Sequence, residues 1–270
     1  MMHFKELRRD PASRRQFLTR MTAAGLGAAA WGLLGSPPAA QARRHRHGVQ
    51  RGIEGTAQAA FPGIPGASND EIVLNFALTL EILEADLYRQ ALNRASGLPL
   101  TTPLKSSAGS YKLSVASGLH CDAETQAGFT YLKQFTFVEF AHRDFVRAAI
   151  LAAGGTPVGP NPGGYRFPGG LPANLKGILQ QIIPLEETGV RAYLGAAPFL
   201  TDLPTIQTAS TIYTTEVRHS GVINLVLDLP VGPTTMPGDK EVDPNPPSEN
   251  TFEKFLDPAT VIQRASTYFG

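Results

Sequence analysis

Two Glu-x-x-His pairs constrain this chain more than any other feature: Glu139 and His142 in FTFVEFAHRDFVRAAI, and Glu216 and His219 in IYTTEVRHSGVINLVL. Residues three apart on a helix share a face, so each pair offers a carboxylate oxygen and an imidazole nitrogen toward one point. The neighbours of Glu139 at helical spacing are Leu132, Phe135, Val146 and Ile150; those of Glu216 are Ala209, Ile212, Ile223 and Leu227. Both carboxylates therefore fall in the stripe that faces a core. Burying an unpaired carboxylate is costly, so something must neutralise it.

Two further apolar runs each carry a lone inward Glu. In IVLNFALTLEILEADLYRQAL, Glu81 is flanked at helical spacing by Leu74, Ala77, Leu78, Ala85, Tyr88 and Leu92. In ILQQIIPLEETGVRAYLGAA, Glu186 is flanked by Leu179, Ile182, Ile183, Val190, Tyr193 and Ala197. Each Glu follows a Leu and precedes a Tyr by two helical turns. The chain thus reads as two halves, each giving a helix with a lone Glu and then a helix with a Glu-x-x-His pair. Four carboxylates and two neutral imidazoles would be balanced by two divalent cations, so the expected metal ligands are Glu81, Glu139, His142, Glu186, Glu216 and His219. Glu84 and Glu187 lie close enough on their helices to compete with Glu81 and Glu186. The rival account makes Glu139 and Arg143 a surface ion pair, which leaves Leu132, Phe135 and Val146 on an exposed face.

This order of ligands resembles the ferritin-like superfamily of di-iron and di-manganese carboxylate bundles. The segments LEILEADLY, VEFAH, LEETGVRAYLGAA and TEVRHSGV are similar to the ferritin-like domain of exported and desiccation-related bacterial proteins. The resemblance covers roughly residues 68 to 229. It implies an all-α, ferritin-like four-helix bundle holding two iron ions (or manganese), with dioxygen or peroxide as small-molecule substrate. Within that site Glu139 and Glu216 would bridge or bind one metal each beside His142 and His219, and Glu81 and Glu186 would complete the two spheres. Tyr88 and Tyr193 are candidates to hydrogen-bond a ligand. The activity implied is a di-iron oxidase, ferroxidase-like or peroxide-consuming one. The alternatives are a di-manganese catalase-like enzyme and a non-catalytic protein protecting against stress or desiccation. Fold analogy leaves a homo-oligomer open.

Residues 1–42 read as an export address. Ser13-Arg14-Arg15-Gln16-Phe17-Leu18 is a twin-arginine signature, the uncharged run from Met21 to Gly35 is short for a membrane span, and Ala40-Gln41-Ala42 offers a small-x-small cleavage site. The twin-arginine export machinery is the expected partner, and the destination is periplasmic or extracellular. Removing this segment leaves 18 basic and 21 acidic residues, a net charge of −3. That balance gives no reason to expect a nucleic-acid partner. The single cysteine, Cys121, excludes an intramolecular disulfide framework.

Residues 43–67 read as a flexible linker, basic at first and then broken by Pro and Gly. His45 with His47, and His120-Cys121-Asp122, are weak metal candidates. Residues 68–229 form the expected bundle. Ser68-Asn69-Asp70-Glu71 gives a capping box, so the first helix starts near Asn69 and ends before Gly97. A long crossover separates it from a helix over about Asp122–Ala153, stopped by Gly154-Gly155. The third helix covers about Ala173–Ala197, with Pro184 expected to kink it. Asp202 and Pro204 open the fourth, which ends near Asp228. Residues 230–270 form a Pro-rich tail closed by a short helix from Pro258 to about Ser266. Its Phe252, Phe255, Leu256, Val261, Ile262, Tyr268 and Phe269 are expected to pack down.

Overall fold

The computed structural model describes residues 57–114, 125–243 and 251–270. The export segment, the early linker with His45 and His47, and His120-Cys121-Asp122 lie outside the described residues. Six helices occur among those described: α1 (Ala57–Ala60), α2 (Asn69–Ala95), α3 (Gln126–Ala152), α4 (Leu175–Ala196), α5 (Leu203–Val226) and α6 (Pro258–Ser266). Helices α2 to α5 form the expected bundle, in which α2 packs most extensively on α3 and α4 on α5. None of these helices is long and apolar enough to cross a membrane.

Each bundle helix begins and ends where its chemistry dictates. Ser68 Oγ accepts from the Glu71 N–H, and Glu71 Oε2 reaches back to the Ala67 N–H at 2.8 Å. The reciprocal bond of the capping box therefore falls one residue earlier than the usual pattern. Gly97, at φ 68°, and Gly154, at φ 79°, take the left-handed conformation that stops α2 and α3. The expected start of the second helix at Asp122 lies outside the described residues, and α3 is in place from Gln126. Asn174, not Ala173, caps α4, accepting from the Gly177 N–H at 2.6 Å. Helix α4 runs on through Pro184 to Ala196. Asp202 caps α5 by accepting from the Thr205 N–H, and Asp228 ends it at φ 57°.

Helix α2 is buried on nearly every side, because more than helices covers it. Residues 57–67 were expected to belong to a flexible linker, yet Phe61 is fully buried. Its ring meets those of Phe76 and Phe199 edge-on at 5.0 and 5.1 Å. Burying this ring removes a large apolar area from water and helps offset the conformational entropy lost in ordering the segment. The buried amide of Asn75 holds this start to the segment after α3. Its Nδ2 donates to the carbonyls of Pro65 and Thr156 at 3.0 and 3.1 Å, and its Oδ1 accepts from the Val158 N–H at 2.9 Å.

The tail also packs more closely than a surface wrap. Leu256 is fully buried against α4, where Gly195 leaves room for its carbonyl. Lys240 and Phe255 exchange backbone hydrogen bonds at 2.8 and 2.9 Å. The C-terminal residues pair with the loop after α3, through Arg166 N–H to Tyr268 O at 2.8 Å and Gly270 N–H to Gly164 O at 3.0 Å. Phe252 departs from expectation and stands half exposed, whereas Lys254 is buried with its Nζ donating to Thr235 Oγ1 at 2.7 Å.

Candidate metal centre

The helical stripes place the six expected residues where their spacing predicts. Leu132, Phe135, Val146 and Ile150 are buried around Glu139, and Ile212, Ile223 and Leu227 around Glu216. Glu81, Glu139, Glu186 and Glu216 have no exposed surface, and His219 is buried. The His142 side chain keeps 12% of its surface exposed and is the most accessible of the six. The surface ion pair between Glu139 and Arg143 does not form; Arg143 pairs with Asp144 at 2.6 Å.

These side chains meet in two groups. Glu81, Glu139, His142 and Glu216 bring one ligand atom each within 4.8 Å of one another, and Glu139, Glu186, Glu216 and His219 do the same. The imidazoles centre the groups. His142 Nδ1 lies 3.0 Å from Glu216 Oε1, 3.4 Å from Glu139 Oε2 and 3.6 Å from Glu81 Oε2. His219 Nδ1 lies 2.8 Å from Glu139 Oε1, 3.6 Å from Glu186 Oε2 and 3.8 Å from Glu216 Oε2. Glu139 and Glu216 thus divide their two oxygens between the groups, while Glu81 and Glu186 each serve one. The two imidazole rings are 6.3 Å apart and nearly parallel.

Close approach here is not hydrogen bonding. Glu81 Oε2, both oxygens of Glu139 and of Glu216, Glu186 Oε2 and the Nδ1 atoms of both histidines are buried without an aligned hydrogen-bond partner. Such orphaned groups are costly, and these eight atoms are the ones that converge, with Asn93 Oδ1 and Ser96 Oγ the other buried side-chain atoms left unpartnered among the described residues. Among the described residues the ion-pair partners of these four carboxylates are the two histidines. A donor set of carboxylates and imidazoles without thiolate suits iron or manganese. The residues fit a pair of divalent cations.

The electrostatics give the same result. Burial by itself would raise the Glu139 pKa, but His142 and His219 outweigh it and hold the carboxyl at about 2. Burial lowers the pKa of His219, yet Glu186 and Glu139 overcome it and push the imidazole up to about 11. His142 is likewise raised, chiefly by Glu81 against its burial. Burial, reinforced by Glu139 and Glu186, drives Glu216 well above the usual carboxylate range. Without cations the site must hold extra protons.

Two tyrosines tie the lone carboxylates across the bundle. The Tyr193 hydroxyl donates to Glu81 Oε1 at 2.6 Å, and the Tyr88 hydroxyl donates to Glu186 Oε1. Each tyrosine serves the Glu of the other half, an exchange that spacing along one helix does not reveal. It leaves Oε2 of both Glu81 and Glu186 facing the histidines. Neither Glu84 nor Glu187 belongs to the two converging groups. Glu84 is buried, and burial, with Glu216 and Glu81 nearby, raises its pKa well above the usual carboxylate range. Glu187 accepts from Arg191 Nη1 at 2.5 Å and from the hydroxyls of Ser220 and Thr234. Sequence reasoning missed this network; the helical spacing of Glu187 and Arg191 was its one visible sign.

A search of curated proteins returns no significant match. A family profile described as the ferritin-like domain matches residues 69–229, from the start of α2 to just past the end of α5. The matched span contains all six converging side chains and covers more than half of the sequence. By that match, and by the four-helix architecture around its carboxylate and histidine cluster, the chain belongs to the ferritin-like domain family.

Proposed function

We propose that this is an exported di-iron protein that consumes peroxide or dioxygen, with Glu81, Glu139, His142, Glu186, Glu216 and His219 as its metal ligands. The division of the Glu139 and Glu216 oxygens between the two groups carries the proposal, because a carboxylate so placed can bridge two ions. When bound, a pair of ferrous ions supplies two electrons, which with two protons reduce one peroxide to two waters. The side chains do the rest. His142 and His219 must be neutral to ligate, so loading displaces the protons that the carboxylates otherwise hold there. Tyr88 and Tyr193 fix the orientation of Glu186 and Glu81, and the apolar stripes keep bulk water out. A small oxidant would approach from the side of His142, the most exposed ligand.

Export by the twin-arginine route rests on the Ser13-to-Leu18 signature and suits a protein that folds around its metals before crossing. Fractionating cells that express the full chain tests it: recovery outside the cytoplasm, lost in Arg14→Lys with Arg15→Lys, supports export.

The activity is tested by loading the purified chain with Fe(II) and following peroxide consumption with an added reductant. Turnover by the wild type, reduced at least a hundredfold in Glu139→Gln and Glu216→Gln, supports an oxidoreductase. Oxygen evolution by Mn(II)-loaded protein without reductant would reassign it as catalase-like. Absence of turnover with either metal would contradict catalysis.

A further inference from the structure

The two half-sites are supported differently. Aligning Glu81 with Glu186 and Tyr88 with Tyr193 sets Ile82 against Glu187 and Asp86 against Arg191; aligning the two Glu-x-x-His pairs sets Arg143 against Ser220. Around the first half-site the backing is apolar: Ile82 belongs to one buried cluster with Val146, Ile150 and Ile212. Arg143 turns outward to Asp144. Around the second, a buried ionic network replaces that packing.

Arg191 is its hub and has no exposed surface. Nε and Nη2 donate to Asp239 at 2.5 and 2.9 Å, and Nη2 also donates to the Thr234 carbonyl at 2.8 Å. Nη1 donates to the carbonyl and side chain of Glu187 at 3.1 and 2.5 Å. Glu187 Oε1 in turn accepts from Ser220 Oγ, and its Oε2 from Thr234 Oγ1. Asp239 is fixed from behind by the Met236 N–H at 2.7 Å. The planar guanidinium thus locks a segment of the tail onto α4 through a fork that a point charge cannot reproduce.

The consequence lies in sequence adjacency. Glu187 follows the ligand Glu186 on α4, and Ser220 follows the ligand His219 on α5. The Ser220–Glu187 bond therefore joins the two helices one residue beyond each ligand. It fixes the relative axial position and rotation of α4 and α5 at the point where Glu186 and His219 must meet. Phe135, stacked on the His219 ring with centroids 3.9 Å apart, restrains the imidazole from the other side. Among the described residues no hydrogen bond joins Ile82 to Arg143, the residues beyond Glu81 and His142; Arg143 pairs with Asp144.

We propose that Arg191 is a positioning residue, which through Glu187 and Ser220 holds the Glu186–His219 half-site and makes the second metal position dependent on the Thr234–Asp239 segment. This rests on the metal-pair assignment above. Groups that orient metal ligands typically contribute about 10- to 100-fold in affinity, and here the effect falls on one of two sites.

The test titrates Mn(II) into the metal-free full chain, followed by binding isotherm and by electron paramagnetic resonance. The wild type should take up two ions and give the signal of a coupled pair. Arg191→Met should keep one ion, bind the second at least tenfold more weakly and show the six-line signal of isolated Mn(II). Arg191→Lys should recover part of the second affinity. Ser220→Ala, which leaves the tail clamp intact, should weaken the second ion about tenfold with unchanged helical content, and it decides the matter if Arg191→Met does not fold. Arg89→Met, at a partly buried pair away from the ligands, should bind both ions as the wild type does. Equal affinity for both ions in Arg191→Met and Ser220→Ala would overturn the proposal, as would equal weakening of both sites. A wild-type chain that binds no pair would instead overturn the metal assignment beneath it.

Discussion

The hydroxyl of Tyr193 on α4 donates to Oε1 of Glu81 on α2 at 2.6 Å, so a side chain from one half of the bundle orients the lone carboxylate of the other. The bond occupies one oxygen of Glu81 and leaves Oε2 aimed at His142.

Replacing Tyr193 by Phe removes that donor and leaves Glu81 Oε1 buried without a partner. The metal held by Glu81 and His142 should bind about 10-fold more weakly, with the second site changed less. Competition against a chelator of known affinity measures it. Unaltered affinity would show that the phenol does not orient Glu81.

In the metal-free chain the pH dependence has a definite sign. Glu186 and Glu139 raise His219 to about 11 against the effect of burial, so its contribution to stability is complete below about 6.5 and is lost as pH rises toward 11. Glu216, raised by burial and by Glu139, acts in the same direction. Glu139, held at about 2, contributes above about 4.5 and loses that contribution as pH falls toward 2. Urea unfolding of metal-free protein should give a lower midpoint at pH 9 than at pH 6. Metal affinity should rise over the same interval, because loading releases the protons. A midpoint that climbs from pH 6 to pH 9 would contradict this assignment of charge.

Phe61 is enclosed by Phe76 and Phe199. Truncation to Ala should cost about 3–5 kcal/mol, the usual range for a buried aromatic ring. Denaturant unfolding measures the loss. A change below about 1 kcal/mol would mean that the segment before α2 detaches readily.

Gly195 lets the Leu256 carbonyl approach α4 more closely than any side chain permits. Gly195→Ala should displace residues 251–257 and destabilise the chain by about 1–3 kcal/mol, with earlier cleavage of the tail in limited proteolysis. Wild-type resistance would show that the tail accommodates the methyl group.

The bundle was legible because its signals are local and periodic. Glu139 and Glu216 announced themselves as charges at the centre of apolar stripes, and the recurrence of Leu-Glu with a Tyr two turns on identified Glu81 and Glu186. The Leu-Glu prefix and the step to Tyr193 favoured Glu186 over Glu187, and in the structure Glu186 faces the cluster while Glu187 faces Arg191. What stayed hidden depends on contacts between distant segments without repeat. Nothing in the sequence near Asp239 or Thr234 marks them as partners of Arg191, and Phe61 sits among Pro and Gly residues that suggest a loose linker. The crossed tyrosines were half visible, since their spacing placed them beside the site without saying which carboxylate each would meet.

The most direct test of the central claim is the metal content of the chain and of its single-site variants, by elemental analysis and titration. Two ions per wild-type chain are expected. Glu139→Ala, which removes a ligand shared by both groups, should lose both, whereas Glu81→Ala and Glu186→Ala should each lose mainly one. A wild-type chain without metal after loading, or a Glu139→Ala variant that retains two ions, would contradict a shared dinuclear centre.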